Sequence, residues 1–145
     1  MTESMQRLAD LAGNFIPAEN IHSDEAGFTL DLGGATLAFF SPGEGSYVGY
    51  CRALVAELGD RPLPAKFAVE ALEGNFFWRG TDGAVVSFEE DENAVYLTDR
   101  FDDGAFEDEA AFGDFIDGFV RTLDDWRSRI DAYAEEEAAA AKEVL

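Results

Sequence analysis

The spacing of apolar residues alternates between a helical and an extended period along the chain, and each switch marks an element. Met5, Leu8, Leu11, Ala12 and Phe15 recur at intervals of three and four residues behind Thr2 and Ser4, either of which suits a helix N-cap. Gly13 and Pro17 close this short amphipathic helix. From Phe28 the period shortens. Phe28 to Leu32 alternates, Gly33-Gly34 is a two-residue hairpin signal, Thr36 to Phe40 is apolar, Ser41-Pro42-Gly43-Glu44-Gly45 is a turn, and Tyr47 to Val55 is apolar again. These residues predict a three-stranded antiparallel meander.

Pro64 stands where a first-turn proline belongs, and Ala65 to Phe76 reads as a second helix. Its apolar residues form two lines: Val69, Leu72 and Phe76 along one, Phe67 and Ala71 along the other. A helix lying on a sheet leaves one of these lines without a partner in the monomer. After the turn Thr81-Asp82-Gly83, the runs Ala84 to Phe88 and Ala94 to Phe101 predict a hairpin around the acidic loop Glu89-Glu90-Asp91-Glu92-Asn93. Phe112, Phe115, Ile116, Phe119, Val120, Leu123, Trp126 and Ile130 then define a long amphipathic helix. Beyond Tyr133 the run AEEEAAAAKEVL has good helix formers but no large apolar face before Val144 and Leu145, which predicts a solvated extension. The expected fold is therefore α+β, an antiparallel sheet with helices in the order α-β-β-β-α-β-β-α. One domain spans 1–134, and 135–145 is an Ala/Glu-rich tail.

Composition narrows the function classes. The chain has 145 residues, 47% of them hydrophobic, which is enough for a core, yet 31 acidic residues face 10 basic ones for a formal charge of -21. Such a chain repels nucleic acid and anionic membrane surfaces, though it can mimic a nucleic acid. No stretch of about 18 uncharged apolar residues occurs, and the N-terminus lacks the basic and apolar regions of a signal peptide. Cys51 stands alone, so no internal disulfide forms, and the cytoplasm is the expected compartment.

The candidate chemistry is thin. His22 and Cys51 are the one conventional base and nucleophile, and a lone His in a polar loop with a lone Cys in an apolar strand is better explained by exposure and packing. The acids at 89–92 lack the spaced ligands, central Gly and closing Glu of a calcium loop and read as a solvated turn. Asp102-Asp103-Gly104 with Glu107-Asp108-Glu109 could form a paired-acid site, but the latter three fall at the start of the last helix, where capping and the helix dipole account for them. The Gly pairs at 33–34, 43–45 and 80–83 do not sit between a strand and a following helix, so they are turns and not phosphate cradles. What is left is apolar surface. The run 47–55 is apolar on both alternating faces, so one face wants a partner unless helices cover both faces of the sheet.

The segment Phe67-Ala68-Val69-Glu70-Ala71-Leu72-Glu73-Gly74-Asn75-Phe76-Phe77-Trp78 carries a resemblance. It is similar to the second helix of the class I chaperones of bacterial type III secretion, the Tir-chaperone family. That helix typically ends in a leucine, two small or polar residues, Asn and an apolar-aromatic cluster, followed by a Gly-rich turn and a strand, as Gly80 to Phe88 follow here. The resemblance covers roughly residues 4 to 130. Two departures are Asp99-Arg100-Phe101-Asp102 in place of a Leu-Pro-Leu segment, and Gly113 and Gly118 in the last helix. The resemblance implies a bacterial cytoplasmic homodimer without enzymatic activity or cofactor. It implies further that the protein binds an extended N-terminal segment of a secreted effector, keeps it non-globular and helps deliver it to the secretion apparatus. A regulatory or binding module with the same fold outside type III secretion, and an acidic nucleic-acid mimic, are the alternatives.

On this reading the dimer contact is expected at Phe67, Val69, Ala71, Leu72, Phe76 and Phe77, with Phe76 and Phe77 dividing between core and partner and Trp78 closing the core edge. The client is expected across the first three strands and the first helix, at Leu8, Leu11, Phe28, Phe40, Val48 and Tyr50. No metal and no membrane is expected as a partner.

Overall fold

A computed structural model describes residues 1–42, 48–102 and 104–144. Part of the expected 41–45 turn, Tyr47, Asp103 and Leu145 lie outside the described residues. The elements are α1 (Glu3–Ala12), β1 (Ile21–Ser23), β2 (Gly27–Asp31), β3 (Thr36–Phe40), β4 (Val48–Glu57), α2 (Ala65–Asn75), β5 (Val85–Glu89), β6 (Ala94–Asp102) and α3 (Glu109–Val144), with short 3-10 turns at Ala18–Asn20 and Phe76–Trp78. The six strands form one antiparallel sheet in the order β1-β2-β3-β4-β6-β5. The α+β class and the helix order are those expected, and β1 is an added edge strand. Residue contacts divide the chain into two compact units, Met1–Ala53 with Thr98–Val120 and Leu54–Leu97 with Arg121–Leu145.

In the first unit Thr2 caps α1, its hydroxyl accepting from the Met5 amide at 3.2 Å. The helix buries Met5, Leu8, Ala9 and Ala12. In β2 the even positions Phe28 and Leu30 are buried, and in β3 the odd positions Leu37 and Phe39. The antiparallel register pairs Phe28 with Phe39 and Leu30 with Leu37, so all four reach one face. Phe28 stacks on Phe39 at 5.0 Å, and Phe39 meets the Phe112 edge at 5.3 Å. Phe101, Phe106 and Phe115 extend this aromatic cluster, with Phe106 lying 5.1 Å from Phe101 and 4.9 Å from Phe115. The Arg7 guanidinium donates to the Phe106 carbonyl at 2.7 Å, which ties α1 to the segment leading into α3. Asp108 accepts from the Ala111 amide at 2.9 Å and so begins α3 by capping, as its place in the sequence suggests.

The second unit forms around Trp126. Phe67, Ala71 and Gly74 are the buried positions of α2, and the Phe67 ring meets Trp126 edge-on at 5.8 Å. Val86, Val95, Leu97, Leu123 and Ile130 complete the core. Polar contacts on the neighbouring flank agree with this rotation of α2 about its axis. Arg129 reaches Glu70 at 2.7 Å and Asp125 at 2.9 Å, and the Tyr133 hydroxyl also hydrogen-bonds Glu70. Lys66 pairs with Glu136 at 2.7 Å on the same flank. That flank therefore faces α3. Residues 135–142, also helical, are exposed along this stretch of α3.

Candidate functional site

Among the described residues, two apolar surfaces remain after the cores are filled. The first is the far face of the sheet in the first unit. Burial in β4 alternates, with Gly49, Cys51 and Ala53 buried, Val48 and Tyr50 half-buried and Arg52 exposed. A side chain at Gly49 would strike the Phe101 ring and Met5, so the odd positions face α1 and the aromatic core. The even positions face away from both. There Phe40 of β3 pairs with Tyr50 of β4, their rings stack at 5.6 Å, and the Arg52 guanidinium lies 5.7 Å from the Phe40 centroid. Thr29 and Ala38, paired in the β2-β3 register, lie on the same face. The result is a partly exposed aromatic strip with one cation and no carboxylate from β3 or β4, on a chain that is acidic elsewhere.

The second surface is the outward side of α2 and the turn after it. The two apolar lines of this helix separate as their spacing predicts: Phe67 and Ala71 are buried, while Val69 is 57%, Leu72 73% and Phe76 59% exposed. Phe77 and Trp78 follow at 78% and 52%. The turn is held from behind. Gly74 and Gly80 cross so closely that a Cβ on Gly80 would lie 2.9 Å from the Gly74 Cα, and one on Gly74 would lie 2.6 Å from the Trp126 ring. The Gly80 amide donates to the Gly74 carbonyl at 3.0 Å, and the Trp126 indole donates to the Gly80 carbonyl at 3.0 Å. Asn75 pairs through its side chain with Val86 of the edge strand β5, accepting from the amide and donating to the carbonyl, both at 2.9 Å. This blocks strand addition at that point of the edge. Closed in this way, the loop 75–79 turns its three aromatics outward.

A family model for Tir chaperone proteins (CesT) matches residues 50–127. The chain belongs to this Tir chaperone family. Among solved structures, a chain of the ExsC–ExsE complex is similar over 88% of this chain and 96% of its own, with TM-score 0.67 and 16% identity. A chain of the heterodimeric ExoU–SpcU complex from the type III secretion system of Pseudomonas aeruginosa is similar over 88% of this chain and 94% of its own, with TM-score 0.55 and 15% identity. At these identities the likeness shows a shared fold. No curated protein sequence matches the chain.

For a Tir-chaperone chain the residues expected from sequence divide in an instructive way. Phe67 and Ala71, expected at a dimer contact, are core, because α2 packs them against Trp126. Val69, Leu72, Phe76 and Phe77 form a contiguous exposed set on α2 and its turn. The expectation that Phe76 and Phe77 divide between core and partner, and that Trp78 closes the core edge, is corrected: all three are exposed, since the Gly74–Gly80 crossing leaves no room for an aromatic inside and Trp126 occupies that place. Leu8 and Phe28, expected to touch a client, are buried in the first unit by strand parity and by the packing of α1. Leu11 is half-exposed on α1, separated by the sheet from Phe40, Val48 and Tyr50, which share the open face. Arg52 was not singled out from sequence; its even position beside Tyr50 in β4 was the available signal.

His22 and Cys51 do not meet. β1 and β4 are separated by two strands, a distance of about 14 Å at the usual strand spacing. Burial, and secondarily the charge of Asp99, push the Cys51 thiol well above its ordinary range. A raised folded-state value means that the thiol's contribution to stability is complete below the unfolded thiol range and is lost as pH climbs through the folded value. Cys51 is expected to resist a thiol-specific chromogenic reagent at pH 8 and to react fully in denaturant. Rapid reaction in the native protein would contradict its placement.

Proposed function

We propose that the protein is a type III secretion chaperone that binds the N-terminal segment of a secreted effector, keeps it soluble and non-globular, and assists its delivery to the secretion apparatus. The observation that carries this reading is the open face at Phe40, Val48, Tyr50 and Arg52, an apolar strip without a place in the core of a Tir-chaperone fold. The similar solved chains come from the ExsC–ExsE and ExoU–SpcU complexes, the second described as part of a type III secretion system. An extended segment suits such a face because its side chains contact many shallow positions at once, each contributing modestly. The high negative charge keeps a chain with this much exposed apolar surface in solution, and works in a bacterial cytoplasm without a cofactor or catalytic step. The active form on this reading is a homodimer built on the exposed line of α2.

Expression in a bacterium together with candidate secreted proteins encoded nearby tests the role. A disordered N-terminal segment is expected to co-purify, and hydrogen exchange is expected to show protection in β3 and β4 upon its binding. Protection confined to residues 107–145 would remove the client from this face.

A further inference from the structure

We propose that the aromatic turn of one copy, with Phe76 at its base, seats the Phe77 ring in the groove between α2 and β5 of a second copy, and that two such insertions related by a twofold axis hold the dimer together. The inference rests on the self-association reading above and specifies its contact. The turn is an aromatic projection held against its own preference. Phe77 and Trp78 have φ of 50° and 55°, the left-handed region that bulky side chains avoid. Asn75 and the Gly74–Gly80 crossing over Trp126 maintain it, and in the monomer the rings gain little burial in return. Conformational cost of this kind is retained where the projecting group has a use.

The receiving site lies on the same surface. A groove of about 200 Å³ between α2 and β5 is lined by Leu63, Phe67, Ala68, Leu72, Val86 and Phe88 among others. A cavity of about 150 Å³ holds benzene, so this groove has room for one phenyl ring. Helix geometry brings the two together. If α2 crosses its own copy antiparallel near Leu72, then Phe76, one turn later, lies beside the N-terminal half of the other α2, where Ala68 and Leu63 line the groove.

Three observations favour a second copy over a different partner. A surface with both projection and groove is self-complementary under a twofold axis, which an isologous dimer requires. Val69, Leu72, Phe76, Phe77, Trp78, Val85 and Phe88 are 39–78% exposed, which at about 150–250 Å² for a whole aromatic residue leaves several hundred Å² of largely apolar surface toward the roughly 800 Å² per partner of a standard interface. Glu70, beside the exposed line, is turned toward Arg129 and Tyr133, while Arg79 lies over the Phe76 ring at 5.3 Å, which eases the approach of two chains of charge -21.

Sedimentation analysis over a concentration series, with circular dichroism to establish folding, tests this. Phe77→Ser and the groove-filling Ala68→Phe are each expected to raise the dimer Kd at least tenfold with an unchanged spectrum. Mild oxidation of a mixture of Phe77→Cys chains and Ala68→Cys chains is expected to yield a disulfide-linked dimer containing one of each, the buried Cys51 taking no part. Leu72→Glu tests the wider reading and is expected to give monomer. If Leu72→Glu dissociates the dimer while Phe77→Ser and Ala68→Phe leave Kd within twofold and no mixed crosslink forms, α2 is the interface and the insertion is wrong. If the wild-type chain is monomeric at tens of micromolar, self-association itself fails. A mixed crosslink abolished by an effector segment that leaves the chains monomeric would give the groove to the client and overturn the proposal.

Discussion

Trp126→Ala is expected to lower the stability of the folded chain by about 3–5 kcal/mol, the range for removing a large buried aromatic. Trp126 is fully buried, meets Phe67 edge-on, carries the Arg129 guanidinium 4.5 Å from its ring centroid and satisfies the Gly80 carbonyl. Its loss therefore leaves a cavity and an unpaired carbonyl, and it removes the surface on which the Gly74–Gly80 crossing rests. Trp126→Phe, which keeps most of the volume and loses the indole donor, should cost less. Gly74→Ala attacks the same contact from the other side, because its new methyl would overlap the ring, and overpacking of this kind costs about 1–3 kcal/mol. Urea unfolding followed by far-ultraviolet circular dichroism measures both. With a slope of about 1–3 kcal/mol per molar, Trp126→Ala shifts the midpoint by about 2 M. A loss below about 1 kcal/mol would mean that Trp126 does not organise this unit.

The same region shows what a sequence can and cannot disclose. The two apolar lines of α2 were readable, because helical spacing alone assigns Val69, Leu72 and Phe76 to one side and Phe67 and Ala71 to the other. Which line is buried was not. That depends on Trp126, which receives the Phe67 ring, and on the Arg129 and Tyr133 partners of Glu70, all some sixty residues away. The outward turn of Phe76, Phe77 and Trp78 was hidden for a related reason. Three adjacent aromatics suggest core, and only the contact of Gly74 with Gly80 and Trp126 fills that core from elsewhere in the chain. A glycine six residues from another glycine was visible, but its meaning is a distance.

The first unit fails and succeeds on different grounds. β1 escaped notice because Ile21-His22-Ser23 has no apolar alternation; backbone pairing to β2 creates it. The turn that returns it was nevertheless written in Asp24 and Gly27. Asp24 accepts from the Ala26 and Gly27 amides, and its own amide donates to the Gly27 carbonyl, a pattern that favours Asp at the first and Gly at the fourth turn position. By contrast Gly33-Gly34 announced its hairpin directly, with Gly33 at φ 87° between strands closed by the Leu32 amide and the Ala35 carbonyl. Strand parity is where the candidate client residues went astray. A one-residue choice of parity moves a side chain to the opposite face, and 47–55 is apolar on both. Parity places Phe28 of β2 in the core, while Leu8 is buried by the packing of α1, where strand parity has no bearing.

That parity gives a direct trial of the proposed function, through two neighbouring phenylalanines. Phe39→Ala is expected to destabilise the chain by about 3–5 kcal/mol, since Phe39 is buried among Phe28, Phe101, Phe112 and Phe115. Phe40→Ala removes a half-buried ring whose aromatic partner among the described residues is Tyr50, and should cost no more than about 1.5 kcal/mol. Client binding should rank the two in the opposite order. Phe40→Ala, still folded, is expected to weaken a fluorescently labelled effector segment about tenfold or more by anisotropy, and Tyr50→Ala similarly, because each removes an apolar contact of roughly 1–3 kcal/mol at the open face. Phe39→Leu keeps the core filled well enough to remain folded, and should bind as wild type. If Phe40→Ala and Tyr50→Ala both bind the segment with unchanged affinity while their folding midpoints hold, the client does not use this face. The half-exposed Leu11 on α1, on the other side of the sheet, would then be the next position to test, because it is the remaining sequence-derived candidate with a side chain that solvent reaches.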